Sequence, residues 1–169
     1  MTVRPRGDSM FQGHTTTARW RDDKDELMSV DDPSIIERSV EKAHVWLDQV
    51  ADALGTQDRH YAYRALRAVL HALRDRLTVE EAAQLAAQLP TLIRGIYYED
   101  WVPSRVPLAF HDTKAFFDHI AAEGLLGGDT EASYAVEAVA RVLREHVSPG
   151  EIDDVVAVLP AHLKPLIQG

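Results

Sequence analysis

Displaced by 70 residues, the chain overlays itself without a gap from Trp46 on Phe116 to Tyr97 on Ile167, and 12 of those 52 paired positions are identical. The identities include Asp48/Asp118, Ala65/Ala135, Val69/Val139, Leu73/Leu143, Arg74/Arg144, Glu81/Glu151 and Leu89-Pro90/Leu159-Pro160. Apolar character persists at Val50/Ile120, Leu66/Val136, Leu77/Val147, Leu85/Val155, Ile93/Leu163 and Ile96/Leu166. Such self-similarity constrains the fold strongly, because one structural plan must suit both halves.

The plan is helical. Thr78-x-x-Glu81 and Ser148-x-x-Glu151 are capping boxes, in which the hydroxyl takes a free backbone N–H and the carboxylate reaches back to the cap. Leu77 with Ala82, and Val147 with Ile152, stand at the staple positions around them. Pro90 and Pro160 can each end one helix and start the next. Gly55 in one half, and Gly124, Gly127 and Gly128 in the other, separate the first helix from the second. Asp32-Pro33 is a helix start, and Ile36, Val40, Ala43, Leu47, Val50 and Leu54 then recur at spacings of 4, 3, 4, 3, 4. The first half of that stripe could pack on its own domain or on another subunit.

The predicted helices are 33–54, 59–76, 79–89 and 91–98, then 113–123, 130–146, 149–159 and 161–167. No segment alternates as a strand would. The expected fold is all-α, a tandem duplication of a four-helix unit forming one compact domain of about eight helices. Its repeats are 32–98 and 112–169, joined by a connector at 99–111. Residues 1–31 lack periodicity and divide into a basic part (Arg4, Arg6, Arg19, Arg21) and an acidic part (Asp22, Asp23, Asp25, Glu26), so they read as a flexible charged tail.

Composition narrows the functional classes. A chain of 169 residues, 46% hydrophobic, can bury a core without a metal or a disulfide, and the absence of cysteine excludes thiol catalysis and Cys-ligated zinc. A formal charge of −9 disfavours nucleic acid, whose binding needs a broad basic footprint. No stretch approaches membrane-spanning length and the N-terminus has no apolar signal run, so the expected location is cytoplasmic.

Motifs for catalysis are missing: no His-Glu-x-x-His, Gly-x-Ser-x-Gly, P-loop or dinucleotide fingerprint. Glu41 and His44 share a helix face, but a di-iron bundle needs two such pairs and more glutamates. Asp118-His119 and His111-Asp112 are sequence neighbours, which point about 100° apart on a helix and make no relay; Asp112 reads as a cap before Thr113. The reading is therefore of a non-enzyme without cofactor or metal.

Two features stand out as candidate binding surfaces. His60, Arg64, Arg67, His71 and Arg74 form a basic stripe opposite Ala62, Leu66, Val69 and Leu73, and are expected to face water. They would either dock an acidic partner, a carboxylate ligand or a phosphate, or pair with the protein's own acids, such as Asp22–Glu26. The matching positions in the second half are Thr130, Tyr134, Glu137, Arg141 and Arg144. The second feature is IRGIYYEDWVP, Ile93 to Pro103, where Tyr97, Tyr98 and Trp101 crowd together. Tyr97 matches Ile167 and reads as core. Tyr98 and Trp101 read as a seam between the halves with their polar atoms reaching water, or as an aromatic anchor for a partner.

The stretch RALRAVLHALRDRLTVEEAAQLAAQLPTLIRGIYYEDW and the later SPGEIDDVVAVLP resemble a bacterial family catalogued as domain of unknown function 2267. The resemblance covers about residues 42–167 and implies an all-helical, duplicated fold, with no catalytic residues to transfer. The functional expectation is a helical interaction or regulatory module that binds a protein partner or itself. The alternative is a small-ligand or cofactor-binding protein with a pocket between the repeats.

Overall fold

The computed structural model describes residues 34–109 and 112–168, all helix, turn and loop, with no strand among them. The expected tail, the Asp32-Pro33 start and His111 lie outside the described residues. In chain order the helices are α1 (Ser34–Ala53), α2 (Arg59–Arg76), α3 (Val79–Gln88), α4 (Thr91–Tyr98), α5 (Thr113–Gly124), α6 (Asp129–His146), α7 (Pro149–Val158) and α8 (Lys164–Gln168), with a 3₁₀ turn at Pro103–Arg105. The described fold is all-α. Residues 35–169 form one compact unit.

The ends of these helices follow their sequence chemistry. Asp58 caps α2 by accepting from the His60 and Tyr61 N–H groups, and Asp112 caps α5 by accepting from Ala115. The Thr78 and Ser148 hydroxyls accept from the N–H groups of Glu81 and Glu151. Each capping box is half made. The two carboxylates, expected to return to the cap nitrogens, each keep one buried oxygen without a hydrogen-bond partner. The charge of Glu81 also acts on Glu151, whose carboxyl is raised by burial first and then by Asp154 and Glu81. This is possible because α3 packs against α7.

Helix bounds recur at the 70-residue offset for α2 and α6, and again for α3 and α7. Their partnerships recur as well: α2 packs on α4 as α6 packs on α8, and α2 packs directly on α6. Both central helices are alanine-rich, and Ala62, Ala65, Ala68, Ala72, Ala132, Ala135, Ala138 and Ala140 are all buried. Small side chains let neighbouring helix axes come close on several sides at once. α2 and α5 approach closely at Gly124, where a Cβ would lie 3.2 Å from that of Ala68.

One boundary departs from expectation. The last helix begins at Lys164 and not at 161. Pro165 has no N–H to give to residue 161 and is tolerated only in a first turn, so the helix must start just before it. The first half carries Gly95 there, and α4 runs unbroken from Thr91.

The first helix of each half ends in the same way. Thr56 N–H bonds to Ala51 O at 3.0 Å, and Leu126 N–H bonds to Ala121 O at 2.9 Å. The residue between helix and return bond is left-handed in both: Gly55 at φ 66° and Leu125 at φ 50°. Glycine accepts that conformation freely, whereas leucine is strained there by about 1–2 kcal/mol. Leu125 is also 74% exposed, so its side chain contributes little packing. Leu125→Gly is expected to stabilise the protein by about 0.5–1 kcal/mol in urea unfolding, because part of the relieved strain is returned as unfolded-chain entropy. No gain would mean that the leucine side chain offsets its own backbone strain.

Candidate functional site

The basic stripe on α2 is split by the fold. His60 is exposed and Arg64 half-buried, with the Arg64 guanidinium 5.9 Å from the Tyr61 ring centroid. Arg67 is half-buried, while His71 and Arg74 are each only 3% exposed. The expectation that the whole stripe faces water is therefore corrected for its inner members. α2 is enclosed by α4, α5 and α6, so the side opposite its apolar stripe is not free.

What meets the inner stripe is the C-terminus of α4. A helix end leaves carbonyls without intrahelical partners and carries the negative end of the helix dipole, so cations belong there. One Arg74 nitrogen donates to Tyr97 O at 2.5 Å and to Glu99 O at 2.9 Å, and Arg74 Nε donates to Asp75 at 2.7 Å. His71 Nε2 lies 2.6 Å from Ile96 O, and its Nδ1 lies 2.5 Å from Glu123 Oε1 on α5. Arg67 bridges outward, to Glu99 at 2.8 Å, to Glu123 at 2.9 Å and to Asp100 at 3.8 Å.

The electrostatics follow. Burial opposes ionisation of Glu123, but the His71 hydrogen bond and the charges of His71, Arg67 and His119 outweigh it and hold the carboxyl below its usual range. The hydrogen bond to Glu99 raises Arg67 further above neutrality, against the desolvation that would lower it. The acids that neutralise the inner stripe are thus Asp75, Glu99, Asp100 and Glu123. Asp22–Glu26 lie outside the described residues.

Sequence reading missed Glu99, Asp100 and Glu123, but one signal for the role was present. Arg74 and Arg144 are identical across the offset, while the matches of His60, Arg64, Arg67 and His71 are Thr130, Tyr134, Glu137 and Arg141. Arg144 donates to Ile167 O at 2.6 Å, just as Arg74 donates to Tyr97 O, and Tyr97 matches Ile167. The arginine shared by both halves ties the fourth helix of each to its second.

The aromatic cluster divides into one fully buried ring and two half-buried ones. Tyr97 is fully buried, its hydroxyl donates to Ala82 O at 3.1 Å, and burial pushes its ionisation far up. Tyr98 and Trp101 are half-buried against the core and stack with ring centroids 5.2 Å apart. The expectation that their polar atoms reach water fails for Trp101, whose Nε1 is buried without a hydrogen-bond partner. Asp100, at φ 53°, makes the sharp turn that folds Trp101 back onto Tyr98.

Surface hollows gather around the N-terminal half of α1. A cleft of about 560 Å³ is lined by Arg38, Glu41, Lys42, Val45 and Trp46, by Gln88 and Pro90 at the α3–α4 junction, and by His146. Trp46 and His146 stack at 5.0 Å, and His146 meets Gln49 at 2.6 Å. The second half thus enters this cleft through His146 alone. Ala43 and Val50 of the expected α1 stripe are buried and Leu47 and Leu54 half-buried, but Ile36 is 67% and Val40 39% exposed. Ile35, Val45 and, on α4, Leu92 are exposed as well.

Among the described residues no three His, Asp or Glu side chains are grouped to hold a metal, and no helix is long and apolar enough to cross a membrane. No curated protein matches the chain. The region in which α2 clamps the end of α4, together with the helices on both sides, lies inside a match over residues 43–166 to a family described as an uncharacterized conserved protein. The chain belongs to that family, DUF2267.

Proposed function

We propose that the protein is a non-enzymatic helical module, built by tandem duplication, that associates with a second copy of itself through the N-terminal half of α1. The observation that carries this is the outward end of the α1 stripe. Ile36 and Val40 continue the line that Ala43 and Val50 bury, yet Ile36 stands 67% exposed and Val40 39%. Exposed apolar residues in a contiguous line mark association surfaces more often than scattered ones do.

A like partner fits this line. At 100° per residue Glu37 flanks it on one side and Ser39 on the other, while Arg38, Glu41 and Lys42 point away from it. An apolar line at spacings of 4 and 3 is what pairs two helices side by side, each laying its line on that of its copy. A two-fold axis between them makes the two contacts identical.

Sedimentation velocity of the full chain tests this against the double variant Ile36→Glu, Val40→Glu. The expected result is a dimer at micromolar concentration that becomes a monomer in the variant, with unchanged far-UV circular dichroism. A wild-type chain that stays monomeric would overturn self-association. The basic stripe is a poorer candidate for a dock, since Arg67, His71 and Arg74 are engaged within the fold.

A further inference from the structure

We propose that His71 is a rivet that donates from both ring nitrogens, because each of them faces an acceptor. Its site joins three helices: α2 supplies the imidazole, α4 the Ile96 carbonyl and α5 the Glu123 carboxylate. The inference is independent of the self-association proposed above.

A count of donors and acceptors fixes the protons. Ile96 O can only accept, so Nε2 must carry a hydrogen. Glu123 Oε1 already accepts from Arg67, and an ionised carboxylate has no hydrogen to give, so Nδ1 must carry one as well. With 3% exposure, water does not replace either bond. Loss of one ring hydrogen would leave a nitrogen lone pair against an oxygen lone pair in a buried site, which is the costly way to break a hydrogen bond.

The surrounding charges support a cation here. Glu123 faces the ring directly, and His119 sits behind it at 3.7 Å from the other carboxylate oxygen. Glu99 and Asp100 lie beyond the end of α4 and are met by Arg67. On α2 the neighbouring charges are Arg67, Arg74 and Asp75, the last two paired with each other.

The carboxylate sets a pH limit on the acid side. Glu123 is held below the usual carboxylate range, so its contribution is present above that range and lost as pH falls through its folded value. Protonation there loosens the junction of α2, α4 and α5.

Two measurements test the proposal. Nitrogen-15 NMR of the ring nitrogens in the wild-type chain at neutral pH should show both of His71 as N–H. A bare, pyridine-type nitrogen would overturn it. Urea unfolding at neutral pH should show the His71→Gln unfolding constant raised about tenfold or more, because a single amide cannot donate to two acceptors on opposite sides of the imidazole site. A variant as stable as the wild type would also overturn it. If His71→Gln does not fold, the NMR measurement on the wild type still decides.

Discussion

Arg74→Met is expected to cost about 3–5 kcal/mol in urea unfolding, the largest effect of any single charge removal in the described fold. The variant keeps the aliphatic stem in its buried channel and deletes only the guanidinium. Tyr97 O and Glu99 O then lose their donor, and Asp75, largely buried, loses its partner. Against a total stability of about 5–15 kcal/mol for a domain, that is a large share.

The controls come from the same stripe and from the second half. His60→Ala, on the exposed end of α2, is expected to change stability by no more than about 0.5 kcal/mol. Arg144→Met removes one charge-assisted bond, to Ile167 O, from a half-buried site and is expected to cost about 1–2 kcal/mol. If Arg74→Met cost no more than His60→Ala, the view that Arg74 secures the end of α4 would be wrong.

Tyr97→Ala is expected to cost about 3–5 kcal/mol, from the cavity left by a fully buried ring and from the loss of its hydroxyl bond. Tyr97→Phe separates the two contributions. It keeps the ring, leaves Ala82 O without its hydroxyl partner, and is expected to cost about 1 kcal/mol. Tyr98→Ala and Trp101→Ala remove half-buried rings that stack on each other, with an expected cost of about 1–2 kcal/mol each. Unfolding midpoints of the four variants check the order. Equal losses at Tyr97 and Trp101 would contradict the division into a buried and a half-buried part of the cluster.

Much of the fold is legible in the sequence because its signals are local. Thr78, Asp112 and Ser148 cap the helices that follow them through hydroxyl or carboxylate groups within three residues of the N–H they satisfy. Pro90 and Pro160 sit at helix breaks since neither can donate a backbone hydrogen. The 70-residue match carries those local rules from one half to the other, and the bounds of α2 and α6 follow it. Leu125 was less legible. A left-handed cap ordinarily announces itself as glycine, and here Gly124 serves close helix packing while the next residue takes the strained conformation.

The candidate site reads differently, because spacing alone placed His60, Arg64, Arg67, His71 and Arg74 in one line with one fate. Helical spacing specifies which residues share a face, and by itself the sequence determined that much. Whether a face meets water depends on elements far away in the chain. Ile96, Tyr97 and Glu99 bring carbonyls to Arg74 and His71 from more than 20 residues on, and Glu123 comes from 52 residues beyond His71. The tertiary structure alone decided that the inner stripe is a clamp and that Ile36 is left uncovered and Val40 only partly covered. A buried cation is tolerable only where acceptors converge on it, and an apolar stripe is buried only as far as there is a neighbour to cover it.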